Sequence, residues 1–188
     1  MKRRAELVVI GGSAGSLHVL LGILPQLPHD LSLPVIIVLH RKPVSQSSLQ
    51  KVLQVKTPVP VVEAEEKEKI KPGVIYVAPA DYHLLVEPDR TFSLDFSEKV
   101  NYSRPSIDVT LETAAHAYRQ NTAAILLSGA NADGVKGLKM IKQYGGTIAA
   151  QDPATAIAPY MPQKAILNAK VDHVLQPEEI AGFIATLM

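Results

Sequence analysis

Short continuous apolar runs alternate along the chain with stretches whose apolar residues recur at helical spacing. Residues 5–10, 35–39 and 123–127 each predict a strand buried on both faces. After the first run, Leu17, Leu20, Leu21 and Leu24 repeat at helical spacing until Pro25 stops the helix. A helix over 48–56 and a short strand over 59–62 follow, and the Glu- and Lys-rich stretch 63–71 reads as a solvated surface segment. Strands are predicted over 74–77 and 84–86, and 91–96 alternates apolar with polar residues. The turn chemistry of Pro88-Asp89-Arg90 joins the last two into a hairpin. The spacing predicts a helix over 107–120, with Ile107, Leu111, Ala114 and Ala115 on one face, and another over 135–144, ended by Gly145-Gly146. A strand over 147–150 and a closing helix over 177–187 complete the pattern. No internal repeat, low-complexity tract or linker interrupts it. The fold class is therefore α/β: a doubly wound, mostly parallel sheet with helices on both faces and an appended antiparallel hairpin. The 188 residues make one domain, 1–188.

Three polar residues stand where strand-type runs stop: Ser13 after the first, His40 after the second and Asp133 in the loop after 123–127. C-terminal ends of parallel strands lie along one sheet edge, so residues remote in sequence can meet there. A hydroxyl, an imidazole and a carboxylate are the groups of a nucleophile, its general base and the base's orienter. Ser13 lies in Gly11-Gly12-Ser13-Ala14-Gly15, the G-x-S-x-G pattern of a strand-to-helix nucleophile turn. The same glycines also suit a plain β-α turn or a phosphate-cradling loop. Against nucleotide binding, the spacing is not G-x-G-x-x-G, His40 stands where an acidic residue would close the second strand, and no G-x-x-x-x-G-K-[ST] occurs. Of the other histidines, His83 is a second candidate base, while His18, His29, His116 and His173 read as helix-face or loop residues. Asp133, in the small-residue loop 128–134, also reads as a helix N-cap, and the two readings are compatible. Ser128 competes as nucleophile but lacks the Gly-x-Ser-x-Gly setting.

Composition narrows the classes. A formal net charge of +1 argues against a nucleic-acid partner. With no cysteine, thiolate metal sites, disulfides and a cysteine nucleophile are excluded; neither a metal nor a cofactor is expected. Met1-Lys2-Arg3-Arg4 before an apolar stretch resembles a signal peptide, but Gly11-Gly12-Ser13 breaks the stretch and cleavage would remove the candidate nucleophile. No apolar run reaches the ~20 residues of a membrane span. The expectation is a soluble, cytoplasmic protein without membrane insertion.

Six segments, in order, resemble the catalytic domain of the chemotaxis protein-glutamate methylesterases, the CheB family. They are Ile10-Gly11-Gly12-Ser13-Ala14-Gly15; His40; Lys71 to Pro79 with His83-Leu84; Arg104-Pro105-Ser106-Ile107-Asp108-Val109; Leu127-Ser128-Gly129 with Asp133-Gly134; and Ala150-Gln151-Asp152-Pro153 with Tyr160-Met161-Pro162. The resemblance implies Ser13 as nucleophile, His40 as base and Asp133 as its partner. It implies hydrolysis of glutamate γ-methyl esters on methylated chemoreceptor-type helical proteins, often with deamidation of glutamine. Ala14 and Ala130 are the expected oxyanion and substrate-binding positions. The family usually has glycine where Ser16 stands and Gly-Met-Gly where this chain has Gly129-Ala130-Asn131, so at Ala130 a backbone N–H could serve but not a methionine side chain. No receiver domain precedes Ser13 in this sequence, which leads us to expect activity without a phosphoryl donor, or control by a separate receiver protein in trans. Two alternatives stand beside this: an esterase or amidase of the same fold with another substrate, and a non-catalytic receptor-binding module.

Overall fold

The computed structural model describes residues 4–41 and 48–188. Its frame is a seven-stranded sheet in which every strand pair is parallel, in the order β3-β4-β2-β1-β7-β8-β9. The strands are β1 (Leu7–Gly12), β2 (Val35–Leu39), β3 (Val61–Glu63), β4 (Ile75–Val77), β7 (Thr122–Leu126), β8 (Thr147–Gln151) and β9 (His173–Leu175). β5 (His83–Val86) and β6 (Phe92–Asp95) form the separate antiparallel hairpin. The described residues hold α-helices α1 (Ser16–Ile23), α2 (Leu49–Gln54), α3 (Ile107–Tyr118), α4 (Val135–Gln143), α5 (Tyr160–Lys164) and α6 (Pro177–Thr186).

The two-residue period of a strand divides the core into two layers. Val8, Ile10, Val35, Ile37, Ala123 and Ile125 point to one face, where Val19, Leu20 and Ile23 of α1 and Ile180 and Ile184 of α6 cover them. Leu7, Val9, Ile36, Val38, Ala124 and Leu126 point to the other, under Ile107 and Leu111 of α3 and Leu138 and Ile141 of α4. This explains why the central strands are apolar throughout: both faces are covered. The hairpin belongs to the second layer, tied to α3 by the Thr110 hydroxyl donating to the Leu84 carbonyl (2.7 Å) and the Val86 N–H donating to Thr113 Oγ1 (3.0 Å).

Three expectations need correction, and two elements were not anticipated. Leu17, placed on the apolar face of α1 (Ser16–Ile23), is 38% exposed; Val19, Leu20 and Ile23 carry that face, so the buried stripe is centred on positions 19, 20 and 23 rather than on the leucine spacing. β9 and α5 went unread. β9 is a three-residue edge strand with two exposed residues, too short to show a period. His173, read as helix or loop, lies in it. α5 contains Pro162, but in the first helical turn, where N–H groups have no intrahelical partner to lose. The surface segment 63–71 is more than solvated: Ala64 and Ile70 are buried, and the Lys67 N–H and Glu68 carbonyl pair with Phe92 of the hairpin. Met1, Lys2 and Arg3, the start of the leader-like stretch, lie outside the described residues.

From β1 the chain moves outward to β2 and to the edge strand β3, steps back to insert β4 between them, and then crosses to place β7 on the opposite side of β1. Open α/β sheets bind ligands at such a reversal, at the carboxyl ends of the strands. Ser13 follows β1 there.

Candidate active site

The Ser13 backbone is fastened between the two neighbours of β1. Its N–H donates to the Ser128 carbonyl beyond β7 (2.9 Å), while the His40 N–H donates to the Gly12 carbonyl (3.1 Å). Gly12 pairs with Leu39 in register, so Ser13 and His40 are the next residues on adjacent strands, whose spacing is about 4.8 Å. The turn after Ser13 is closed by Ser16, whose hydroxyl and N–H both donate to the Ser13 carbonyl (2.5 and 3.1 Å). Gly15 lies at φ +83°, where a side chain would be strained and a Cβ would also stand 2.6 Å from Cβ of Ile157. Among the described residues, the Ser13 hydroxyl has no hydrogen-bond partner, nor have the N–H groups of Ala14 and Ala130.

His40 Nε2 donates to Asp133 Oδ2 at 2.7 Å. Asp133 is fully buried and accepts from five more donors. Ile107 N–H reaches Oδ2 (2.6 Å), and Asp108 N–H (3.1 Å), Gly134 N–H (3.1 Å), the Ser106 hydroxyl (2.9 Å) and Asn101 Nδ2 (2.8 Å) reach Oδ1. Ile107 and Asp108 are the first residues of α3, and Ser106 at its N-cap makes no capping bond of its own. Asp133 therefore caps α3 from a different loop, and the helix dipole favours its negative charge. Burial pushes this carboxyl up, but the hydrogen bonds from His40, Asn101, Ile107 and Asp108 outweigh it and hold it below the usual carboxylate range. With Nε2 donating to an ionised carboxylate, His40 keeps Nδ1 as its proton acceptor.

The remaining candidates sort clearly. His83 is buried, its Nδ1 accepting from Ser106 N–H (3.1 Å) and its Nε2 donating to the Glu98 carbonyl (2.9 Å). Both ring nitrogens are occupied, which removes it as a base and makes it a support for Ser106. The Ser128 hydroxyl donates to the Ala14 carbonyl (2.6 Å) and accepts from Ala158 N–H (2.9 Å), stitching three loops together at full burial. His18, His29 and His116 lie on the surface.

Three participants escaped the sequence reading: Asn101, Ser106 and Asp108. Ser106 stands one residue before a helical run, which is an N-cap signal, but its actual partner is 27 residues away. Asp108 is also buried. Its Oδ1 accepts from Gly137 N–H of α4 (2.8 Å) and its Oδ2 from Asn101 Nδ2 (2.9 Å). Burial, with the Asp133 charge nearby, raises its carboxyl to about 6 against the hydrogen bond from Gly137.

Beside His40 opens a cleft of about 350 Å³ lined by Arg41, Asp81, Lys99, Tyr102, Ser103 and Arg104. Arg41 is held by Glu63 (2.8 Å), and Arg104 by Asp81 (2.8 Å), by the Phe96 and Ser97 carbonyls and by the Phe96 ring at 3.9 Å. Tyr102 projects at its rim, 97% exposed. On the other flank of the Ser13 turn, Ile157 is 73% exposed. Among the described residues no group of His, Cys, Asp and Glu is placed to hold a metal ion, and no helix is long and apolar enough to cross a membrane.

Residues 8–184 match the family model described as CheB methylesterase. A protein of Leptospira interrogans is 47% identical over 182 residues, covering 97% of this chain and 94% of its own length; its name gives two activities provisionally, protein-glutamate methylesterase and protein-glutamine glutaminase. A Thermotoga maritima protein named protein-glutamate methylesterase/protein-glutamine glutaminase is 39% identical over 93% of this chain, which spans 52% of it. The crystal structure of the Thermotoga maritima CheB methylesterase catalytic domain superimposes with a TM-score of 0.93 at 37% identity, covering 98% of this chain and 99% of that one.

Proposed function

Because this chain belongs to the CheB methylesterase family, we propose that it hydrolyses γ-methyl esters of glutamate on a helical, chemoreceptor-type protein, with Ser13 as nucleophile, His40 as general base and Asp133 as base-orienter. The observation that carries this reading is the 2.7 Å hydrogen bond from His40 Nε2 to a buried, ionised Asp133, on the residue that neighbours Ser13 across adjacent strands. Ser13 Oγ attacks the ester carbonyl as His40 Nδ1 takes its proton. The negative oxygen of the tetrahedral intermediate is met by the N–H groups of Ala14 and Ala130, which have no other partner among the described residues. Collapse expels methanol, protonated by the imidazolium, which Asp133 stabilises. Water then attacks the acyl-Ser13, giving up its proton to His40; the Oγ–acyl bond breaks as the imidazolium returns that proton to Ser13 Oγ, and the glutamate carboxyl group is released. Applied to a glutamine carboxamide, the same steps release ammonia, in keeping with the second activity in the relatives' names.

A protein surface cannot enter a deep pocket. The site suits it: Ser13 is half-buried at an open sheet edge, flanked by small residues and by the exposed Ile157 and Tyr102. The test is methanol release from a methylated receptor fragment by the wild type and by Ser13→Ala. The expected result is release by the wild type alone, and equal release by both would refute the mechanism. Turnover of small esters with none on the fragment would favour the same-fold esterase instead.

A further inference from the structure

Asn101 stands where the rim of the cleft meets the buried carboxylates. It lies in the turn 100–103, closed by hydrogen bonds from Val100 N–H to the Ser103 carbonyl (3.2 Å) and from Ser103 N–H to the Val100 carbonyl (3.0 Å). Both central residues have left-handed backbone, φ 51° at Asn101 and 63° at Tyr102. Asparagine tolerates that conformation better than most residues. Its side chain does something further. Nδ2 donates to Asp133 Oδ1 (2.8 Å) and to Asp108 Oδ2 (2.9 Å), so one amide group spends both hydrogens on two buried carboxylates.

We infer that Asn101 is a positioning residue for the reaction proposed above: its amide bridges Asp133 and Asp108, fixing the carboxylate that orients His40 and seating the rim turn beside it. The inference rests on the assignment of Asp133 as base-orienter. Its physical basis is that two carboxylates facing one another in a buried site repel, and a shared donor both screens them and sets their orientation. Asp108 also faces Glu112 on α3 and Lys136 on α4. The Asn101 hydrogen bond favours its charged form, so losing the amide moves Asp108 protonation to higher pH.

Glycine at position 101 separates the amide from the backbone, since it accepts the left-handed conformation without supplying a donor. The assay is p-nitrophenyl acetate hydrolysis by the full chain, with Ser13→Ala as the control. Equal turnover by Ser13→Ala and the wild type would defeat the nucleophile assignment, and this inference with it. With that control silent, Asn101→Gly is expected to lower kcat about 10-fold or more with KM within about twofold, and to move the acid limb of the pH profile to higher pH. Asn101→Ser, whose hydroxyl can satisfy only one carboxylate, is expected to fall between. A folded Asn101→Gly with wild-type kcat and profile overturns the inference, as does a loss equal at every pH that Asn101→Ser does nothing to relieve. Should the glycine variant not fold, the serine variant decides: wild-type kcat and profile there overturn it.

Discussion

Asp133 accepts six hydrogen bonds, and only one comes from the histidine it is proposed to orient. Replacing it by asparagine turns an amide nitrogen toward groups that all donate. Asp133→Asn is therefore expected to lower the rate by about three to four orders of magnitude and to destabilise the fold by about 1–3 kcal/mol, since a buried donor loses its acceptor. Kinetics paired with thermal unfolding check both. The two buried carboxylates also carry opposite pH signatures. Asp133 is held low, so its contribution to stability is present above the ordinary 3.8 and is lost as pH falls below it. Asp108 is raised to about 6, so the folded protein binds its proton more tightly than the unfolded chain; its contribution is fully present below 3.8 and is lost as pH rises through about 6. The Tm of Asp108→Asn relative to wild type should thus become more favourable between pH 4 and 7, and a flat difference would count against the raised value. At this scale Ser13, His40 and Asp133 could be proposed from the sequence, because each follows an apolar strand run, Asp133 at the far end of the loop after 123–127. The roles of Asn101 and Ser106 could not, since their partners lie 32 and 27 residues away; local spacing marks Ser106 only as an N-cap and Asn101 not at all.

Elements bring those donors into range. α3 and α4 meet where Gly137 packs against Leu111, with a Cβ at 137 falling on the Leu111 Cβ, and the Gly137 N–H reaches Asp108 at this contact. Gly137→Ala should separate the helices and cost about 1–3 kcal/mol through overpacking. Because α3 supplies two N–H groups to Asp133, small-ester kcat should fall with it; unchanged stability and rate would show that the contact yields without moving α3. The strands and long helices were readable from periodicity, as Val35–Leu39 shows: both of its faces are covered, so apolar residues fill every position. α5 and β9 were hidden for separate reasons, a proline whose missing N–H is harmless in a first turn and a three-residue edge strand with no room for a period.

Across the whole molecule, the reversal of strand order at β1 creates the site by setting β2 and β7 on either side of the Ser13 turn. The exposed Tyr102 stands at the rim of the cleft beside His40, and the exposed Ile157 lies against Gly15 of the Ser13 turn, apolar surface that a docked helix would cover and a small ester would not need. Tyr102→Ala is expected to raise KM for a methylated receptor fragment about 10-fold while small-ester turnover stays within about twofold; an equal loss on both substrates would remove Tyr102 from protein docking. Sequence by itself determined the α/β class, the appended hairpin and the three polar strand ends, because strand and helix periods, turn residues and G-x-S-x-G are local properties. Tertiary structure alone decided which strands are neighbours, and hence that His40 rather than His83 meets Asp133. It also decided that this carboxylate caps a helix from another loop, through Ser106, Ile107 and Asp108. Strand order is settled by which apolar faces bury one another, and a buried charge by whichever donors that packing brings within 3 Å; neither is encoded in neighbouring residues.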